Sequence, residues 1–576
     1  MNVFGEHSDF HLPKWYGHDM NSADRSRKPN HFDCTAGTPA VRVTDCSSDI
    51  QSAAMQYRGI PKVSLAVMVL LLYTVEGLQA QPESNIKHSK VLILGAGASG
   101  LAAAKTLSEN NINDFILLEG SDRIGGRVMS IRFGGTTVEA GANWMAIREG
   151  NPLWDVIQKF NVSGKSSDYD SVVIKTYDGV DATDSEGELA WDKLAKAKIK
   201  SVNVFRRIRD QKTHDMSLRT CLDIGNWHPK TPVEKTVEIL DFDFEYGISP
   251  DVTSCYFRGI SDRVDSSFYV RDDRGYEFIL KKYVENVLEE NDQRIRLNET
   301  VKTINYTDTN VSVTTASGKI FTADFVIVTF SIGVLKSGSV TFIPPLPDWK
   351  MDNLFRIRLE NYVSVYLKFP ETSARFWDNA EFILYADKKR GVYPVWQNLE
   401  AEGLFPVGTN ILQMVTQGEE ANRISQLTDS DVKEEVMAIL RRVYGNVAEP
   451  EDVFISDWKN NPLYKGCFCN METGTLSPKV FDAIRAPVGR IYFAGEAFGW
   501  NVSCYVTGAV ESGIQTATKV TECSKGTCEV YDPREPGPIT ESPTVAACPS
   551  GGFRQDGDIR RMAVLVGIVG LIVSCT

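Results

Sequence analysis

Three glycines set the chemistry this chain is able to do. Gly95, Gly97 and Gly100 fill a G-x-G-x-x-G pattern directly behind the apolar run 91–94. In that setting the first glycine makes a tight turn and the second lets a pyrophosphate reach the backbone. The third lets a helix pack close to the strand. The helix that begins there would offer unpaired N–H groups and a positive dipole end to the phosphates. Glu119 closes a second apolar run about 20 residues further on, where an acid takes the ribose hydroxyls of a dinucleotide. A lone G-x-G-x-x-G also marks ordinary glycine-rich turns. Here strand, helix, second strand and acid fall in register, and together they predict dinucleotide binding.

The elements that must hold this loop recur along the chain. Residues 102–107 begin the helix. A charged, helix-rich stretch covers 151–291. Residues 298–329 alternate apolar and polar side chains as antiparallel strands do, and 325–329 is a further buried strand. Prolines within 344–347 block both helix and central strand and mark a domain crossing. Residues 362–369 and 410–416 read as strands of a second sheet. Asp429–Tyr444 is an amphipathic helix with Val432, Val436, Ile439 and Leu440 on its apolar face. A last buried strand comes at 490–496, then a helix from Gly508. An early strand completed by one so late in the chain implies interleaved domains.

At 576 residues, 42% apolar and 10% aromatic, the chain has material for a large core in two domains. Its net charge of −13 argues against nucleic acid and suits a cationic ligand. Of seven histidines four precede residue 32, and none has metal-ligand spacing, so no metal is expected. Residues 55–62 are basic and 63–73 apolar, with small Gly77 and Ala80 behind them, which is the shape of a secretory signal ending near residue 80. Residues 1–54 are then a disordered or non-native extension. The rival reading is an internal membrane helix, for which the run is short. At the other end, small residues 550–552 precede a polar spacer and an apolar tail. That order fits a signal for a GPI anchor, within 553–576. A short transmembrane anchor flanked by Arg560 and Arg561 is the alternative. Either places the body of the protein outside the cell, secreted or on the surface. Sequons at Asn161, Asn298, Asn305, Asn310 and Asn501 fit that location. Eight of the eleven cysteines lie in the expected mature body; Cys523–Cys528 is the favoured pair and Cys221–Cys255 a second candidate.

Beyond Glu119 comes Arg123-Ile-Gly-Gly-Arg127-Val, which resembles the extended fingerprint of flavin-dependent amine oxidases. From Lys90 to Cys528 the chain resembles the polyamine oxidases of that family. The resembling blocks are 138–144, 323–335, 485–496 and 505–513. The resemblance implies an α/β fold. A Rossmann-like FAD-binding domain of glutathione-reductase type (88–175, 296–345, 481–528) would interleave with an α+β substrate domain (176–295, 346–480), with 529–552 as linker. It assigns Gly95, Gly97, Gly100, Glu119, Arg127, Val301, Glu496 and Val506 to FAD. Val301 is otherwise strand core, and Glu496 otherwise caps the turn after it.

The activity implied is oxidation of an amine C–N bond. Hydride passes from the carbon next to nitrogen to flavin N5, and O2 is reduced to H2O2. Phe468 and Tyr505 match the family's two aromatic walls, with Trp458 nearby. Glu245 matches an acid that contacts the polyamine. The competing readings are plain core for the aromatics and a solvated helix face for Glu245. Cys467, Cys469 and Cys504 cluster near the flavin face as a disulfide, redox thiols or small core residues.

Two positions break the pattern. The family's lysine that holds a water against flavin N5 is Ser364 here. Lys368, about 13 Å along the strand, cannot substitute. After Trp144, plant relatives carry an acid and spermine oxidases a histidine; this chain has Ala146, then Arg148 and Glu149. Three readings follow: an oxidase of spermine, spermidine or a related amine; an FAD-bearing protein with little turnover; or a flavin oxidase of another substrate, such as an amino acid. Oligomeric state is not legible.

Overall fold

Val91, Leu92, Ile93 and Leu94 have no solvent exposure, as a central parallel strand covered on both faces requires. They end the strand Ile86–Leu94, which runs parallel to Phe115–Leu118 on one side and to Ile320–Val328 on the other. Ile295–Arg296 adds beyond Phe115–Leu118. The late strand Ile491–Phe493 joins in parallel with the second half of Ile320–Val328. The first half of that strand pairs antiparallel with Val311–Thr315, which pairs in turn with Val301–Tyr306. Two helices, Ala98–Glu109 and Val506–Ser524, pack against this eight-stranded sheet. They start at Ala98 and Val506, earlier than the sequence suggests, because Gly97 and Tyr505 serve as N-caps with no side-chain capping bond to mark them.

This computed structural model describes residues 86–533, apart from 148–149, 212, 257–266, 290, 476–477 and 500–502. The extension 1–54, the signal-like 55–80, most of the linker, the tail 553–576, Arg148, Glu149 and the Asn501 sequon lie outside the described residues. No helix among the described residues is long and apolar enough to cross a membrane.

A second, six-stranded sheet has the order Asp452–Ile455, Tyr362–Lys368, Ile411–Gln417, Val395–Asn398, Phe382–Ala386, Val172–Thr176. Asp429–Tyr444 packs Val432, Val436, Ile439 and Leu440 into the same apolar cluster as this sheet. It starts at a capping box of Thr428 with Asp431. In the shared register Ser364 sits opposite Val415 on a strand buried almost throughout.

One buried acid makes the fold sensitive to pH. Burial raises the Glu139 carboxyl to about 7, although the Tyr276 N–H (2.8 Å) and the Ser130 hydroxyl (2.8 Å) favour its charge. The folded chain therefore binds more protons than the unfolded chain between about 4.5 and 7. Glu139's contribution is whole below that window and is lost as pH rises through it, to the extent of roughly 3 kcal/mol. The urea midpoint of the wild type is expected to fall between pH 5 and pH 8, and that of Glu139→Gln to fall less. Equal pH dependence in the two proteins would contradict the assignment.

Candidate active site

The parallel strands end at one cavity of about 1000 Å³. Gly95, Glu119, Thr329 and Glu496, each just beyond a strand's carboxyl end, all line it, which is where open α/β sheets bind ligands. Gly97 caps the helix Ala98–Glu109 there, and the first-turn N–H groups lack partners within the helix. The Ser99 hydroxyl beside them is buried with no partner. A Cβ on Gly97 would meet only ordinary contacts, Gly125 O and Gly126 Cα at 3.9 Å, so the glycine keeps space open on the cavity side. These three observations fit a pyrophosphate.

Each residue matched to FAD lies around this space except Gly100, which packs below it against the Gly95 carbonyl. Glu119 accepts the Ala96 N–H (2.7 Å) and the Ser121 N–H and hydroxyl (both 2.8 Å), bonds that also fix the glycine loop. Arg127 pairs with Glu496 at 3.2 Å and donates to the Cys467 carbonyl. The other Glu496 oxygen accepts the Cys469 N–H at 3.1 Å. Val301 lines the cavity at the start of its strand, and Val506 lines it at the first turn of its helix.

The far part of the cavity is aromatic. Trp144, Tyr169, Phe244, Tyr362, Phe468 and Tyr505 line it, and the rings of Tyr362 and Phe468 meet at 5.6 Å. The Tyr505 hydroxyl donates to the Glu245 carboxylate. Burial, and then that carboxylate, push the Tyr505 phenol well above its ordinary range, so it keeps its proton. Trp458 is buried, and its indole N–H donates to the Ala140 carbonyl at 3.1 Å. It lines the cavity as an anchored wall.

A charged network fixes the segment that carries Glu245. The helix Pro232–Glu238 passes into a π turn, Ile239–Asp243, and then into Phe244–Tyr246. Arg390 donates to both Asp243 oxygens (2.7 Å each) and to Glu238 (2.9 Å). Glu238, with no solvent exposure, also takes both Arg219 nitrogens (2.7 and 2.6 Å) and the Trp227 indole (2.7 Å). The segment then stops at Gly247, φ +73°, where a Cβ would sit 3.1 Å from the Phe468 ring. Sequence reasoning missed Tyr169, Tyr362, Phe244 and Arg390. The only local hint was the run of acids and aromatics at 241–246.

The two departures resolve differently. Ser364 does line the cavity; its hydroxyl accepts from Gln413 at 3.2 Å and its N–H donates to Ser456 at 2.8 Å. Lys368 is not among the lining residues. It donates to the Thr409 carbonyl at 3.2 Å and lies beside Glu371 and Glu451. Ala146 is buried and lies outside the lining, two residues past Trp144, which lines it. Of the cysteines, Cys469 joins Cys504, Cys221 joins Cys255 and Cys523 joins Cys528. The sulfurs of Cys469 and Cys504 lie with Glu496 at metal-ligand spacing, but they are spent on each other. Cys467 is a free thiol that burial pushes up to about 12.

The profile of the family described as flavin containing amine oxidoreductase matches residues 98–521. The chain belongs to that family. Polyamine oxidase 1 of Zea mays is 33% identical over 494 residues, which cover 81% of this chain and 97% of that protein. Polyamine oxidase 7 of Oryza sativa subsp. japonica is 34% identical over 475 residues, 78% of this chain and 98% of the relative. Wild-type putrescine oxidase bound to putrescine has the same fold, with a TM-score of 0.61 at 18% identity over 76% of this chain and 99% of that one. This amine oxidoreductase is thus an FAD-dependent enzyme close to the polyamine oxidases.

Proposed function

We propose that the enzyme oxidises polyamines or related amines, with O2 as the final acceptor and H2O2 as product. The observation that carries this reading is the Tyr505–Glu245 pair, set among aromatic walls in the same cavity as the FAD-binding glycines. The chemistry FAD supplies when bound is removal of hydride from the carbon next to the amine nitrogen. Gly97, the first turn of the helix behind it, Arg127 and Glu496 would hold it. The protein's own part is to hold the amine in an aromatic slot. Phe468 and Tyr505 would flank the reacting carbon, and Glu245 would take a distal ammonium through a charge-assisted hydrogen bond. Glu245→Gln is expected to raise KM for spermidine ~10–100-fold and to leave a simple monoamine within ~3-fold, the span of one charged hydrogen bond. Equal losses for both amines would remove Glu245 from that role.

Ser364 favours a second, slower reading. No lysine stands at this point of the wall, and Lys368 is occupied elsewhere. Ser364→Lys is expected to speed steady-state turnover in air ~100-fold, the low end of proton-transfer assistance, with anaerobic bleaching nearly unchanged. No gain in air would show that the serine limits nothing. An amino-acid substrate gains no support. Arg127 is the single arginine among the described lining residues, and Glu496 holds it.

We place the enzyme outside the cell, secreted or anchored at its surface. Asn161, Asn298, Asn305 and Asn310 are all exposed, and three disulfides suit an oxidising compartment.

A further inference from the structure

The disulfide Cys469–Cys504 lies between the two residues read above as the amine walls. Phe468 precedes Cys469 at the start of the strand Phe468–Met471. Tyr505 follows Cys504 as the N-cap of Val506–Ser524. The Cα atoms of the two cysteines are 4.9 Å apart. Both half-cystines also bind one residue. The Cys469 N–H donates to a Glu496 carboxylate oxygen at 3.1 Å, and the Cys504 N–H donates to the Glu496 carbonyl at 2.9 Å. Cys504 is held at φ +71°, in the left-handed region that residues other than glycine rarely enter. The backbone that aims Tyr505 therefore adopts an uncommon conformation, and the cross-link and the Glu496 carbonyl hold it there.

We propose that Cys469–Cys504 is a positioning element of the amine site, fixing Tyr505 relative to Phe468, so that amine binding depends on its oxidation state. This rests on the reading of those two aromatics as the amine walls. The retained partners of Glu496, Arg127 among them, keep the FAD side in place when the link opens. Opening it takes two electrons and two protons from a dithiol. The S–S bond becomes two thiols, and the dithiol closes to its own disulfide. Cys467 does not replace either partner; its thiol stays protonated and donates to the Tyr362 carbonyl at 3.1 Å.

The test uses the FAD-loaded full chain and its Cys469→Ser/Cys504→Ser double variant. The variant is expected to retain its visible flavin band, to exchange backbone amides at 503–506 at least ~10-fold faster, and to show KM for spermidine raised ~10-fold or more, since small misplacements cost this much. Wild type treated with dithiothreitol should behave the same and recover on reoxidation, with alkylated peptides identifying the opened pair. Cys523→Ser/Cys528→Ser should match untreated wild type. Unchanged exchange, or faster exchange with KM within ~2-fold, overturns the proposal. Loss of flavin from the opened enzyme also overturns it, because the link would then serve the cofactor. The exchange measurement needs no amine, so a failed amine reading and a failed positioning reading are told apart. If the double variant does not fold, reversible reduction of the wild type decides.

Discussion

Gly97→Ala is expected to give a folded protein that carries almost no flavin. At Gly97 the backbone has φ −73°, open to any L-residue, and the new methyl would meet protein atoms only at 3.9 Å. The side chain would project into the space where a pyrophosphate must approach the backbone. FAD occupancy after purification should drop below ~10%, a loss of at least ~1.4 kcal/mol in binding, while far-UV circular dichroism stays that of the wild-type apoprotein. Gly100→Ala is the contrasting case. Its Cβ would lie 1.9 Å from the Gly95 carbonyl oxygen, an overlap of backbone with backbone. Helix Ala98–Glu109 must then move off the central strand. Overpacking of this kind costs about 1–3 kcal/mol or more, so this variant should lose soluble yield as well as flavin. If both variants lost flavin with equal damage to the fold, Gly97 would be structural and the cofactor cradle misplaced. The absorbance ratio of the flavin band to protein, read beside the urea midpoint, separates the two.

Lys350→Ala is expected to destabilise the chain by about 2–5 kcal/mol, the range for truncating a large buried side chain to alanine. Lys350 has no solvent exposure. Its Nζ donates to the carbonyls of Ala483 (3.1 Å), Ile484 (2.6 Å) and Ala486 (2.5 Å), at and just past the end of the helix Pro478–Arg485. It also sits 3.9 Å from the centre of the Phe493 ring. Burial pushes its pKa well below the ordinary lysine range, which favours the neutral amine, still a donor to these carbonyls. Alanine leaves those carbonyls without that donor and opens a void beside the strand Ile491–Phe493. That strand leads straight into Glu496, so loss of flavin should accompany loss of stability. Lys350→Met restores volume but no donor and should recover only part. A urea midpoint of Lys350→Ala close to wild type would show that the carbonyls find other partners.

What the sequence reveals here follows the range of the interactions involved. The glycine loop, Glu119 and the helix Asp429–Tyr444 were legible because strand, turn, cap and amphipathic period are local patterns. The starts of Ala98–Glu109 and Val506–Ser524 were less so, since neither Gly97 nor Tyr505 caps with a side chain. The aromatic wall was half legible. Phe468 and Tyr505 came from resemblance, whereas Tyr169 and Tyr362 reach the cavity only through the packing of the second sheet. Arg390 was invisible, because its partners Glu238 and Asp243 lie about 150 residues earlier and a π turn shifts the helical register that would have related them. The clustering of Cys467, Cys469 and Cys504 was legible, but which two join was not, since connectivity is a spatial fact. Ala146 is a different case. It marks a departure from the pattern of relatives, and here it is buried outside the cavity lining.

The measurement that tests the central claim most directly mixes the FAD-loaded protein anaerobically with spermine, spermidine and a simple monoamine, then admits air while the visible flavin band is followed. The account predicts that a polyamine bleaches the band, and that air restores it with release of H2O2, slowly because Ser364 stands where a lysine is absent. A band that no amine bleaches would contradict it.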